Sequence, residues 1–98
     1  MIKRQNVKKA DKVKVTFVLP HDPEEPPISV VGDFNNWSPS ATKLVKRNNG
    51  TRSASIQLEP NHRYAFRYYA ADGQWFNDQR ADAYEPSGHG TENCIVLT

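Results

Sequence analysis

Two tryptophans, Trp37 and Trp75, each stand among turn-forming residues, and Arg67 lies on the segment between them. Trp37 closes the core of the run Gly32-Asp33-Phe34-Asn35-Asn36-Trp37-Ser38-Pro39, in which Asn, Ser and Pro favour a surface loop by local hydrogen bonding or by lacking an N–H. Trp75 follows a second turn, Ala71-Asp72-Gly73-Gln74. Indole carries the largest apolar surface of any side chain, so a loop that bears one either folds it back as a lid on the core or displays it. Two displayed rings suit a pyranose, whose axial C–H bonds make one face apolar while its rim carries hydroxyls that both donate and accept. Arg67 offers that rim a rigid fork of donors, and Asn93 offers a donor and an acceptor.

Other chemistry finds less support. Asp33, Asp72, Asp78, Asp82 and Glu85 could be read as glycosidase carboxylates, but that reaction needs a pair ~5–9.5 Å apart across a cleft, and these fall in turns or connectors. The reading is therefore not an enzyme. His21, His62 and His89 lack ligand spacing, Cys94 has no basic neighbour in sequence, and no Gly-rich phosphate loop occurs, so neither a metal nor a cofactor is expected.

The elements that must position these residues read as strands. From Lys12 to Leu19, Val13, Val15, Phe17 and Leu19 alternate with Lys12, Lys14, Thr16 and Val18, the period-2 pattern of a half-buried strand. A Pro-rich acidic connector, His21 to Pro27, leads to a short β-branched strand, Ile28 to Val31. Thr42–Arg47 and Arg52–Leu58 flank Asn48-Asn49-Gly50-Thr51, where Asn-Gly supplies the φ values of a hairpin turn; Ile56 and Leu58 are core candidates, while Lys43, Lys46, Arg47, Arg52 and Ser53 read as exposed. In Arg63–Ala70, Tyr64, Phe66 and Tyr68 take the core face and leave Ala65, Arg67 and Tyr69 on the other. Gln74–Asp78 returns as a second hairpin, Gln79–Gly90 reads as a long surface connection, and Asn93–Leu97 is the last strand. Seven short strands without an amphipathic helical window predict an all-β, immunoglobulin-like β-sandwich of the early-set type.

At 98 residues, 24% charged and 37% hydrophobic, the chain is sized for one core and is too polar for a membrane protein. Its net charge of +2 is uneven: six cations against Asp11 put +5 into the first fourteen residues. Residues 1–11 are expected to form a basic N-terminal arm, with the sandwich over 12–98. Such a head could touch nucleic acid or an acidic membrane, but scattered lysines suit a solvated arm and edge strand better, so neither partner is expected. The single Cys94 beside Ile95-Val96-Leu97 suggests a buried thiol in a reducing compartment; with no secretory signal and no long apolar segment, cytoplasmic is the expectation.

These motifs bear a family resemblance. Gly-Asp-Phe-Asn-Asn-Trp at 32–37, Arg67 ahead of Asp72-Gly73-Gln74-Trp75, and Gly90-Thr91-Glu92-Asn93 resemble the starch- and glycogen-binding modules of carbohydrate-binding module family 48. That family includes the early-set domain of isoamylases and glycogen branching enzymes and the glycogen-binding domain of the AMP-activated protein kinase beta subunit. The resemblance runs from about Lys12 to the C-terminus. It implies a non-catalytic module for α-1,4-linked glucan (glycogen, starch, maltooligosaccharide), with Trp37 and Trp75 as sugar platforms, Arg67 in place of a hydroxyl-binding lysine, and Thr91 and Asn93 as rim contacts. His89 stands where the family has a leucine that inserts into a cyclic glucan, and the Ala70-Ala71 pair adds one residue to the Trp75 hairpin. The alternative it leaves open is a regulatory or protein-interaction module associated with family 13 α-glucan enzymes, with sugar binding weakened or lost. Taken singly, Trp75 could cover its hairpin, Arg67 could be a surface charge, Thr91 and Asn93 could cap a turn, and His89 could be solvated.

Overall fold

Two antiparallel sheets pack face to face in the computed structural model, which describes residues 2–88 and 90–98. Their strands, in chain order, are β1 (Ile2–Val7), β2 (Lys12–Pro20), β3 (Ile28–Gly32), β4 (Val45–Lys46), β5 (Thr51–Leu58), β6 (Arg63–Ala70), β7 (Trp75–Phe76), β8 (Ala83–Pro86) and β9 (Glu92–Leu97). Sheet one runs β1-β2-β5-β4; sheet two runs β3-β6-β9-β8, with β7 continuing beside β6. The architecture is the all-β sandwich that the strand pattern predicts. Among the described residues the sole helical element is a 3-10 turn at Asp33–Asn35, and no helix is long and apolar enough to cross a membrane.

The core follows the alternation. Val13, Val15, Phe17 and Leu58 of sheet one meet Ile28, Val30, Phe66, Tyr68, Cys94 and Val96 of sheet two. The Phe17 and Phe66 rings lie 5.0 Å apart and tilted, a favourable offset contact at the centre of the sandwich. Because side chains alternate across a strand, burying Tyr64, Phe66 and Tyr68 commits Ala65, Arg67 and Tyr69 to the outer side of sheet two.

Several elements differ from the sequence expectation. Residues 2–7, expected in a basic arm, form β1, paired with β2 from Ile2↔Phe17 to Val7↔Lys12. Lys3 and Gln5 stay solvated while Ile2 packs on the core, and that single apolar anchor is hard to see among the charges. Arg4 then ties this edge to sheet two by binding Asp82 and the Leu97 carbonyl. Within the expected connection 79–90, Ala83–Pro86 pairs with β9 as β8, placing Pro86 at the end of an edge strand where no N–H is needed.

Thr42–Arg47 is not one continuous strand. Thr42 and Leu44 bond β3, and Val45–Lys46 then pairs with β5, so the chain switches sheets here. Nine strands therefore replace seven among the described residues. Arg52 is 4% exposed rather than solvated: it shares the core side of β5 with Ala54, Ile56 and Leu58 and donates to the carbonyls of Asp22 and Pro26. It thereby pins the Pro-rich connector across the end of the sandwich. Ser53 is also buried, beneath the guanidinium of Arg47.

Candidate functional site on the outer face of sheet two

The Gly32–Pro39 loop divides its residues between anchoring and display. A Cβ on Gly32 would meet the Ala65 carbonyl at 2.4 Å, so only glycine lets β3 end this close to β6. Phe34 turns inward, its ring 5.7 Å from that of Phe17. Asn35 Oδ1 accepts from Gly32 N (3.0 Å), and its Nδ2 donates to Val30 O (3.0 Å) and Thr42 Oγ1 (3.1 Å). The following residues, Asn36 and Trp37, are both left-handed, with φ of 56° and 57°. Such a backbone is unusual for a bulky residue and costs about 1–3 kcal/mol, so it persists only where the surroundings fix it. Here Trp37 N donates to Gly32 O (3.0 Å) and Ser38 N to Asn35 O (3.2 Å).

The indole is then fixed by Asp33. Trp37 Nε1 donates to Asp33 Oδ1 (3.1 Å), and Asp33 Oδ2 accepts the backbone N–H of Ala65 on β6 (2.8 Å). One carboxylate thus joins the ring to the sheet. Half-buried, Trp37 borders a concave space of about 510 Å³ together with Asp33, Ala65, Glu85, Ser87 and Asn93. It is not a lid on the central core, since Phe34 takes that place.

Trp75 sits at the other end of the same face. The turn at Ala71–Gly73 is closed by Gly73 N to Ala70 O and Ala70 N to Gln74 O, with Gly73 at φ 94°. This sets Trp75 opposite Tyr69, their rings 4.8 Å apart, with Trp75 41% exposed. Ala65 beside Trp37 and Tyr69 beside Trp75 are four residues apart on β6, roughly 13 Å at the usual strand rise. Arg67 projects between them. Its Nε donates to Asn77 Oδ1 (2.8 Å), and Asn77 Nδ2 donates to Glu92 O (3.0 Å), which orients the guanidinium against the sheet.

The remaining expected contacts divide. Asn93 pairs with Glu85 and borders the space under Trp37. Thr91 instead closes the β8–β9 turn: its carbonyl accepts from Ser87 N (2.9 Å), and its Oγ1 lies 2.8 Å from Ser87 Oγ. That is the turn-capping role. His89 lies outside the described residues. Tyr69 and Asn77 are site residues that the sequence argument did not assign, and Asp33, considered there only as a glycosidase carboxylate, instead holds Trp37; the alternation of β6 already placed Tyr69 beside Arg67 on the outer side, but the bonds of Asp33 and Asn77 span different elements.

Carboxylates that could suggest acid–base catalysis are otherwise engaged. Asp33 holds Trp37, Asp72 accepts from Gln74 N, Asp82 binds Arg4, and Glu85 binds Arg63. Asp78 is buried inside the fold, accepting from Tyr68 Oη (2.7 Å) and Arg80 N (2.8 Å). Burial and this carboxylate push the Tyr68 hydroxyl far above its ordinary range. Burial likewise raises the Cys94 thiol to about 11, so it is protonated at neutral pH and inert as a nucleophile. Among the described residues no three His, Cys, Asp or Glu side chains converge as a metal site would require.

Compared with known proteins, the chain matches no family model and no curated protein.

Proposed function

We propose that the chain is a non-catalytic α-glucan-binding module that lays an oligosaccharide along the outer face of sheet two. The observation that carries this reading is the arrangement of Trp37 and Trp75 at the two ends of one sheet face, with Arg67 between them. The rings supply apolar surface for sugar faces, and Arg67 and Asn93 supply hydroxyl contacts beside them. The spacing along β6 calls for a chain of sugars rather than a single ring. Fixing the Trp37 indole through Asp33 supports the reading, because a preorganised platform loses little freedom on binding.

Affinity electrophoresis in gels containing glycogen or amylopectin tests the proposal. Wild-type protein should be retarded and the Trp37→Ala/Trp75→Ala double variant should run freely; equal mobility of the two in all gels would refute it. Capture of an α-glucan-metabolising enzyme by protein that ignores glycogen would favour the interaction module instead.

A further inference from the structure

A cavity larger than the space under Trp37 lies elsewhere on the molecule. About 650 Å³ in volume, it opens where Val18, Leu19 and Pro20 at the end of β2 and Thr51 at the start of β5 face the segment Phe76–Arg80. It shares no lining residue with the concave space under Trp37. Its volume lies within the ~300–1,000 Å³ common for small-molecule sites.

The lining combines two chemistries. Leu19, Pro20 and Phe76 give an apolar wall, while Lys3 and Arg80 bring cationic side chains that form no ion pair among the described residues. Asp78 also lines the cavity, a buried carboxylate that accepts from Tyr68 Oη and Arg80 N. Two cations against one carboxylate leave the lining net positive, and apolar surface beside net positive charge is complementary to a ligand with an apolar body and an anionic head. We propose that this cavity is a second binding site, taking a small amphipathic carboxylate whose chain or ring lies on Leu19, Pro20 and Phe76 and whose head is held by Lys3 and Arg80. Asn77 lines this cavity and also orients Arg67 on the tryptophan face, but the residues assigned to contact each ligand are different.

The test is an NMR titration of the isotope-labelled chain with octanoate, octanol and octylammonium, each below its micellar or solubility limit. Octanoate should shift the amides of Leu19, Thr51, Phe76 and Gln79 saturably and leave the indole signals of Trp37 and Trp75 in place. Octanol should bind more weakly and octylammonium more weakly still. The Lys3→Gln/Arg80→Gln variant should keep the wild-type spectrum elsewhere and lose about tenfold in octanoate affinity, the scale of one charge-assisted contact. Shifts that do not saturate, shifts centred on the aromatic face, or octylammonium binding as tightly as octanoate would overturn the proposal. Maltoheptaose added to the same sample reports on the tryptophans alone, so failure of either site is seen separately.

Discussion

On the outer face of sheet one, Lys14, Thr16, Ser55 and Gln57 project from β2 and β5, and Thr16 and Ser55 bond across the strands through their hydroxyls at 2.8 Å. On the outer face of sheet two, Val31, Arg67, Tyr69 and Ile95 occupy the corresponding positions. Both faces come from the same alternation, yet Val31 and Ile95 are fully buried although they point away from the core. The first face is polar and largely exposed. The second needs cover, and the Gly32–Pro39 loop and the β6–β7 hairpin bring Trp37 and Trp75 to it. A sheet face thus becomes a candidate site when its connections bring aromatic rings over it, and it remains a solvated surface when they do not.

Truncating the rings should break that difference most severely. Each of Trp37→Ala and Trp75→Ala is expected to weaken glucan binding by about 2 kcal/mol or more, roughly thirtyfold, as for aromatic anchors in other interfaces. Thr16→Ala and Gln57→Ala on sheet one should leave it unchanged. Calorimetric titration with maltoheptaose reads both, and a comparable loss from the sheet-one variants would erase the distinction.

Gly32→Ala should destabilise the fold by about 1–3 kcal/mol, because the added methyl meets a carbonyl oxygen and the Phe66 Cβ rather than a flexible side chain. Urea unfolding measures this, and a midpoint like the wild type would show that β3 and β6 can separate without cost. Asp33→Ala removes the link between indole and sheet. Its expected cost is about 1 kcal/mol per lost hydrogen bond in stability, with a further loss of glucan affinity that Asp33→Asn restores in part. An affinity unchanged in Asp33→Ala would mean that the ring is held by packing alone.

A separate effect, of pH, concerns the buried thiol between the sheets. Cys94 is held above its ordinary value, so its contribution is fully present below the ordinary thiol range and is lost as pH rises from about 9 through about 11. Thermal melts should fall over that window, with a shallower fall in Cys94→Val. Tyr68, shifted in the same direction, accounts for the part of the fall that persists in the variant.

Legibility in the sequence tracked the locality of the cause. The alternation of Arg63–Ala70 and the Asn-Gly turn are decided by neighbouring residues, and both are found in the structure. Strand β1 was masked because its side chains are charged and its pairing depends on the open edge of β2. Arg52 defied its residue type for a similar reason: the carbonyls that its two terminal nitrogens bind belong to Asp22 and Pro26, distant in sequence. Within the site, the types of Trp37, Trp75, Arg67 and Asn93 were visible at once, whereas the supports Asp33 and Asn77 act through partners on other elements.

The sequence by itself determined two sheets' worth of alternating strands, their principal turns, and the separation of Arg67 from the core side chains of its own strand, because backbone geometry fixes these within a few residues. The tertiary structure alone decided that Phe34 enters the core while Trp37 remains outside, that Asp33 fastens the indole to β6, and that Thr91 is spent on a turn while Asn93 borders the ring. Those outcomes depend on hydrogen bonds and close packing between segments that meet only when the sheets do.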